Sequence, residues 1–460
     1  MSEPTLTIEE AAARFVVDFS EVDIDIAGRR AAKTLIKDQL AIQVGASQLP
    51  WSKQVRHARM TRPGKSTIVG DGETASAEDA AFLNATYGHG FEYDDYAGNA
   101  HPGCCVVPVA IAIGEELDAS FEEVLVAMVA GYELYVRIGY PASPALLNRG
   151  WQSHSVLANF GAAAVAAKLR GLDAETTLHA LAIALSHAGG TTEYASTGGS
   201  IKRAHAGISA RNGMESVDLA VAGVTGPRRF LTGDRGFYKM FSDTEVGDDA
   251  QEIFSRSNPL SLVRMSMKPY CCCAATHVYI DLMQGITARA REVQHIEARI
   301  QTMADAIVGN RNASIYQPQN IEEVQYSLPV EMALAVLGRG NGYATHRTLL
   351  DGELWNGGRS GVIDLANRIT LTISPELDRR FPRTFAGEVA VIYNDGSTEE
   401  FSADYAKGTP EHPFTDDEFR AKFDDLTKDV IGKEAAAKLF DLIDSAAATT
   451  PISALTALLR

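Results

Sequence analysis

Long apolar runs are missing from this chain of 460 residues. The most apolar stretch, Cys104 to Gly114, is interrupted by Pro108 and falls well short of the roughly 20 residues a bilayer span needs. A basic start followed by an apolar segment is also lacking. Met1 to Glu10 is polar and acidic, so no signal peptide is expected. Positive charge is scarce: 42 Lys and Arg against 59 Asp and Glu leave a net charge of -17. That sign disfavours nucleic-acid and anionic-membrane partners, whose phosphates would be repelled. It leaves room for an anionic substrate in a locally basic pocket. Cysteine is sparse too. The five residues fall as Cys104-Cys105 and Cys271-Cys272-Cys273. An odd, clustered set does not read as a disulfide framework, and it points to a reducing cytoplasm. Internal repeats and low-complexity linkers are likewise lacking.

What is present is an ordinary globular balance, 45% apolar and 22% charged, in a chain long enough for two to three domains. Residues 8 to 260 read mainly as helix. Ile26 to Gly45 carries Ala, Ile and Leu at helical spacing. Phe121 to Ile138 starts with acidic residues, which suits the helix dipole, and then turns apolar on most faces. Val156 to Leu169 and Ala174 to Ala188 are Ala-rich helices joined at Gly171, with Asp173 as the N-cap of the second. Ser186 to Ser200 is a break rich in Gly, Ser and Thr. The pattern changes near Arg264. Val293 to Ile300, Glu323 to Leu328, Arg368 to Ile373 and Gly387 to Tyr393 read as strands. The turn Asn394-Asp395-Gly396 leads into a further strand, Thr398 to Phe401. Helices are expected at Ala274 to Ala290, Val330 to Gly338 and Ser360 to Asn367, then again at Asp416 to Phe440 and Ile452 to Leu459. The expectation is a mainly α protein with an α+β part.

Three clusters carry candidate chemistry. The first runs from His89 through Glu92, Asp94, Asp95 and Tyr96 to His101. Histidines, carboxylates and tyrosines at the mouth of a buried helix suit general acid–base work, since partial burial moves pKa values. Taken alone it reads as well as a polar loop with a capping Asp. Its spacings match no known metal-ligand pattern. The second is Gly198 to Gly207, with Lys202, Arg203 and His205 behind a glycine pair. Cations and backbone amides there suit carboxylates; the plainer reading is a solvated pair at a helix start. The third is Met267 to His277. Adjacent cysteines cannot easily converge on one iron–sulfur cluster, so they read as small buried residues. Lys268, whose chain direction is set by Pro269, and His277 are the residues of interest. Gln152 and His154 precede an Ala-rich helix, to line a cleft or to cap it. His179 and His187 read as ordinary helical residues.

In order, HGFEYDDY, AHPG, GYELYVRIG, FGAAAVAAKLRGLDAE, IKRAHAG, MKPYCCCAATH, YSLPVEMALAVL and SPELDRRFP resemble the MmgE/PrpD family over almost the whole chain. The resemblance implies a large helical domain built from residues 1–265 and 406–460, with a smaller α+β lid inserted at 266–405. It implies a homodimer, no metal, no organic cofactor, and an active site in an interdomain cleft. Family functional positions match at Glu92 or Asp94, His101, Lys202 and Lys268. His205 and His277 lie close to that site, and Tyr316 matches a family tyrosine. One departure stands out: many members place a histidine directly after the aromatic residue at 151, where this chain has Gln152, with His154 two positions on.

The reactions the family resemblance implies begin beside a carboxylate and must stabilise enolate-like charge. Lys202 and Lys268 are the candidate carboxylate clamp, and His101 is the acid or base, oriented by Glu92 or Asp94. His154, Gln152, Arg203, His205, His277, Tyr316 and Tyr96 are candidate substrate contacts. The expected activity is that of a lyase, a dehydratase or decarboxylase, on a small polycarboxylate. An epimerase of an iminodisuccinate-like diacid is the alternative. A non-catalytic helical binding protein is a third.

Overall fold

The structure is a computed structural model that describes residues 6–97, 100–197, 199–247, 250–350 and 361–460. It divides into two compact units. The first takes the chain up to Thr192, then Ile201–Met265 and Leu426–Arg460; the second takes Glu193–Ser200 and Ser266–Asp425. The architecture is mainly α with an α+β portion toward the C-terminus, as the sequence pattern predicts. Among the described residues no helix is long and apolar enough to cross a membrane.

The first unit begins with α1 (Ile8–Asp18), α2 (Ile26–Ser47), α3 (Pro50–Ala58), the short hairpin β1 (Ser66–Thr67) and β2 (Thr74–Ala75), and α4 (Ala77–Gly88). It continues with α5 (Gly103–Glu116), α6 (Phe121–Gly139), α7 (Ala145–Asn148), α8 (Ser153–Leu169) and α9 (Ala174–Ser186). A single turn in the second unit, α10 (Tyr194–Thr197), interrupts the expected break before α11 (Ile201–Val221). Caps explain several starts. Thr7 with Glu10 and Ser120 with Glu123 form capping boxes on α1 and α6. Asp173 accepts the amide of Thr176 at 2.7 Å, as its sequence position suggests. The helices pack closely because small residues face one another. A Cβ on Gly213 of α11 would meet Ala162 Cβ of α8 at 2.4 Å, and one on Gly207 would meet the Phe82 carbonyl of α4 at 2.3 Å. Nearly every residue of α5 is buried, Pro108 included.

In the second unit α12 (His277–Gln284) leads into β3 (Val293–Ile300). Then come α13 (Thr302–Ile307), α14 (Ile321–Gln325), α15 (Leu328–Val336), α16 (Tyr343–Leu349) and α17 (Val362–Ala366). They precede β4 (Ile369–Ile373), α18 (Pro375–Arg380), β5 (Gly387–Tyr393) and β6 (Thr398–Ala403). The sheet order is β4-β3-β5-β6, with β3 parallel to β4 and the other pairs antiparallel. Alternate residues of β5 are buried, and α12 closes over Gly387, where a Cβ would meet Val278 at 2.8 Å. Helices α19 (Asp416–Thr427), α20 (Lys433–Ser445) and α21 (Ser453–Thr456) finish the chain.

Four expected elements differ. Glu323 to Leu328 is not a strand. Asn320 caps the amide of Glu323 at 2.9 Å and Ser327 caps that of Val330 at 3.2 Å, so two helices start in succession there. Asp416 to Phe440 is two helices: the first ends at Thr427, and Gly432, with φ 85°, immediately precedes the second. Ala274 to Ala290 is a 3₁₀ turn, α12 and a second 3₁₀ turn. Ile452 to Leu459 is a single α turn followed by a 3₁₀ turn. Of the expected helix Ser360 to Asn367, Ser360 lies outside the described residues, as does Gly198 of the second cluster.

Candidate functional site

In the first unit, α4 ends at Gly88, and the chain crosses from His89 to Pro102 before α5 begins. This connection carries the first cluster, and most of its described side chains are buried. His89 Nδ1 lies 2.8 Å from Asp94 Oδ2, and His101 Nδ1 lies 3.2 Å from the same oxygen. His101 Nδ1 is also 3.1 Å from the carbonyl of Asp95. Both contacts assign the Nδ1 proton to the His101 ring, which leaves Nε2 as its exchangeable position. His89 and Asp94 are closed off from solvent, whereas His101 is 15% exposed. The cluster is therefore closed off from solvent except at His101.

The electrostatics set distinct protonation states. Burial by itself would raise the Asp94 carboxyl; the charges and hydrogen bonds of His89 and His101 outweigh it and hold Asp94 well below the usual carboxylate range. Burial, and then the charge of Lys202, pushes His89 well below the usual imidazole range. His154 falls to about 3, from burial and then from His101. Asp95 rises to about 7, from burial and then from Asp94 and Asp38. Two carboxylates adjacent in sequence thus titrate far apart.

Further side chains surround this core. His154, in the first turn of α8, is fully buried, with its ring 4.7 Å from that of His89 and its Nδ1 3.3 Å from Tyr135 Oη. Tyr132 Oη donates to Asp95 Oδ2 at 3.2 Å. Cys104 Sγ lies 3.4 Å from His89 Nδ1 and 3.7 Å from His154 Nε2. Tyr96 is buried, its ring 6.5 Å from that of His101. Cys104, Tyr132 and Tyr135 were not singled out by the sequence, and His89 and Asp95 entered only as members of the first cluster, with no role of their own. The signal for the tyrosines was there, as an i, i+3 pair on the apolar α6.

The second cluster is buried as well, which overturns the reading of a solvated cation pair. Lys202 forms an ion pair with Glu92, and both are almost fully buried. Glu92 adopts a left-handed backbone, φ 56°. A non-glycine residue held there costs about 1–3 kcal/mol, which the surrounding fold must offset. The Arg203 guanidinium stacks 3.7 Å over Trp51 and donates to the Gly90 carbonyl, which ties α11 to the loop. His205 is mostly buried and falls to about 4, from burial and then from Lys202. Gln152 caps α8, its Oε1 accepting the Ser155 amide at 2.5 Å.

The second unit holds the rest. Lys268 and His277 are buried. His277 Nε2 lies 3.2 Å from the Cys272 carbonyl. Burial, and then the charge of Lys268, lowers His277 to about 3. Cys271 and Cys272 are buried and Cys273 is partly so; all five cysteines are free. Tyr316 is half-buried, and its hydroxyl donates to the Ile369 carbonyl at 3.0 Å. The Met267–Cys273 segment is fixed by backbone bonds from Met267 to Gly408, Cys271 to Asn341 and Cys273 to Gln325.

The first unit thus holds a buried His-Asp-His cluster together with a buried lysine–carboxylate pair. The chain belongs to the MmgE/PrpD family: residues 10–248 match the MmgE/PrpD N-terminal domain and residues 270–446 the MmgE/PrpD C-terminal domain. It is similar to the cis-aconitate decarboxylase of Aspergillus terreus, 27% identical over 454 residues, covering 93% of this chain and 91% of that protein. It is 26% identical to a cis-aconitate decarboxylase-like protein of Aspergillus oryzae, covering 100% of this chain and 98% of the relative. The Mus musculus cis-aconitate decarboxylase is 25% identical, covering 83% and 78% respectively.

Proposed function

We propose that the protein is a lyase that acts on a small polycarboxylate such as cis-aconitate or 2-methylcitrate, with His101 moving the proton. The observation that carries this reading is the Asp94 carboxylate shared by the Nδ1 atoms of His89 and His101. The shared carboxylate fixes the His101 ring by holding Nδ1, while Nε2 exchanges the proton. Lys202 supplies positive charge for a substrate carboxylate. In the resting protein Glu92 neutralises that charge, and an incoming carboxylate replaces it. Lys268 enters the proposal through the family resemblance, as a second carboxylate clamp.

In a decarboxylation, the carbon–carbon bond breaks, carbon dioxide leaves, and its electron pair spreads into the remaining unsaturated acid. A proton from His101 then quenches that charge. In a dehydration, a base takes the proton beside a carboxylate and a second group, acting as acid, protonates the hydroxyl, which leaves as water. The similarity to proteins named cis-aconitate decarboxylases supports the first. Gln152 favours a second reading. An amide cannot transfer a proton at neutral pH, and this one is held as a helix cap. An epimerase of an iminodisuccinate-like diacid therefore stays as the alternative. Absence of a metal and of an organic cofactor, a cytoplasmic setting and a homodimer belong to the same proposal and rest on the resemblance.

The test is NMR of the protein with cis-aconitate, citrate, 2-methylcitrate and iminodisuccinate in heavy water. Loss of carbon dioxide or of water supports the lyase. Deuterium uptake at unchanged constitution supports the epimerase. Full turnover in both Lys202→Ala and Lys268→Ala would overturn the carboxylate clamp.

A further inference from the structure

We propose that His89, Asp94, His101 and Cys104 form an inhibitory binding site for a thiophilic divalent transition-metal ion, with Zn(II) as the representative. One donor atom each from His89, Asp94 and His101 lies within 4.8 Å of the other two. Two of the separations are 2.8 and 3.2 Å. Cys104 adds a sulfur 3.4 Å from His89 Nδ1, and its thiol also interacts with Asp94. Metal–ligand bonds of about 2.0–2.3 Å put the donors of a tetrahedral ion roughly 3.3–3.7 Å apart. The two Asp94 separations are slightly tighter, so Asp94 must part from the rings by up to about half an ångström to admit an ion of that kind. Two imidazoles, a carboxylate and a thiolate suit Zn(II), Co(II) and their neighbours, and do not suit Mg(II) or Ca(II).

The protons balance. Binding takes the place of hydrogen atoms now held between the donors. The Cys104 thiol releases one proton to solvent as the sulfur–metal bond forms. Each imidazole binds the ion through Nδ1 and carries its remaining proton on Nε2. For His89 this breaks no second contact, because among the described residues its Nε2 has no hydrogen-bond partner. Asp94 needs no deprotonation. The partly open His101 marks the side from which an ion enters. Binding follows from this donor set alone. Inhibition rests on the proposed role of His101: with the metal on Nδ1 the ring keeps its Nε2 proton, cannot take up a second one, and no longer exchanges protons with the substrate.

The experiment uses the full chain after chelator treatment, titrated with Co(II) and followed by absorbance, then challenged with Zn(II). The expected result is one Co(II) per chain with tetrahedral ligand-field bands and a sulfur-to-cobalt charge-transfer band, both removed by Zn(II). Cys104→Ser and Cys104→Ala should lose the charge-transfer band and weaken Zn(II) binding by at least about tenfold, the cost already typical of losing a mere outer-shell partner. Circular dichroism verifies that each variant is folded. His89→Gln gives a second ligand deletion with the same expected loss. No tetrahedral spectrum, or unchanged Zn(II) affinity in the folded variants, overturns the site. Tight Zn(II) binding with turnover intact would keep the site and overturn its inhibitory character, and with it the assignment of His101.

Discussion

Glu92 and Lys202 are both buried and paired, and Glu92 holds a backbone conformation that few side chains accept. Removing one member of such a pair leaves an uncompensated charge. Lys202→Met should therefore destabilise the protein by about 3–5 kcal/mol, and Glu92→Gln by a similar amount. The double variant should recover much of that loss, and urea unfolding of all four proteins measures the coupling. A simple sum of the two single effects would mean that the pair is not an interacting unit. His277 gives a pH prediction. Its folded pKa of about 3 lies below the usual 6.5. The unfolded chain thus binds the extra proton more readily between those values. The His277 contribution to stability is whole above pH 6.5 and is lost as pH falls toward 3, with a slope of at most about 1.4 kcal/mol per pH unit. His277→Asn should flatten the unfolding free energy across that window; an unchanged slope would show that other groups carry it. At this scale the sequence offered histidines, carboxylates and lysines as candidates, and adjacency alone brought Glu92, Asp94 and His101 to notice. It could not show that Asp94 bonds two rings, nor that His89 is the other one. Those contacts depend on where α4 ends and α5 begins.

The helices are held by small residues at their crossings. Gly213→Val in α11 would drive its side chain into Ala162 and the α8 backbone. Overpacking of this kind costs about 1–3 kcal/mol or more, so a lower thermal midpoint is expected, read by differential scanning calorimetry. Val at Gly285, where an added Cβ has open room beyond one carbonyl at 3.6 Å, is the control. Helices with long periodic patterns, such as α2, α6 and α8, were legible because their caps and apolar faces agree. Glu323 to Leu328 was misread because a short alternating run has the strand period by chance, while the caps at Asn320 and Ser327 act locally and favour helix. Within 416–440 the overlooked break runs from the end of α19 at Thr427 to Gly432, which precedes α20. Lys202 and Arg203 looked solvated because a cation pair at a helix start usually is; the Trp51 ring and the Glu92 carboxylate that receive them are distant in sequence.

Over the whole molecule, the net charge of -17 coexists with a buried site that carries lysine and histidine. Average charge describes the surface facing solvent, not what a pocket recognises. The fold class was readable because the change from helical to alternating patterning near residue 264 is abrupt. The chain's return to the first unit was suggested by the renewed helical pattern after Asp416 and implied by the family resemblance. Residues from Leu426 onward belong to the first unit. Phe121 donates its amide to the Thr450 carbonyl at 2.7 Å, Ile452 donates to Ala119 at 3.0 Å, and Gly70 donates to Leu459 at 2.8 Å. Thr456 Oγ1 also donates to the buried Glu115 carboxylate at 2.6 Å. A chain stopped after Ser445 should therefore melt at a lower temperature and exchange the amides of α5 and α6 faster, as read by hydrogen exchange.

That closing segment bears on how the protein is made. Translation delivers the helices around His89, Asp94 and His101 long before residues 446–460 leave the ribosome. Until they do, Glu115 lacks the Thr456 hydroxyl and the start of α6 lacks its Thr450 partner. The nascent helical unit waits unsealed while the whole α+β unit is synthesised. A strong ribosomal pause between residues 426 and 445 would prolong that interval, when a chaperone has most to hold.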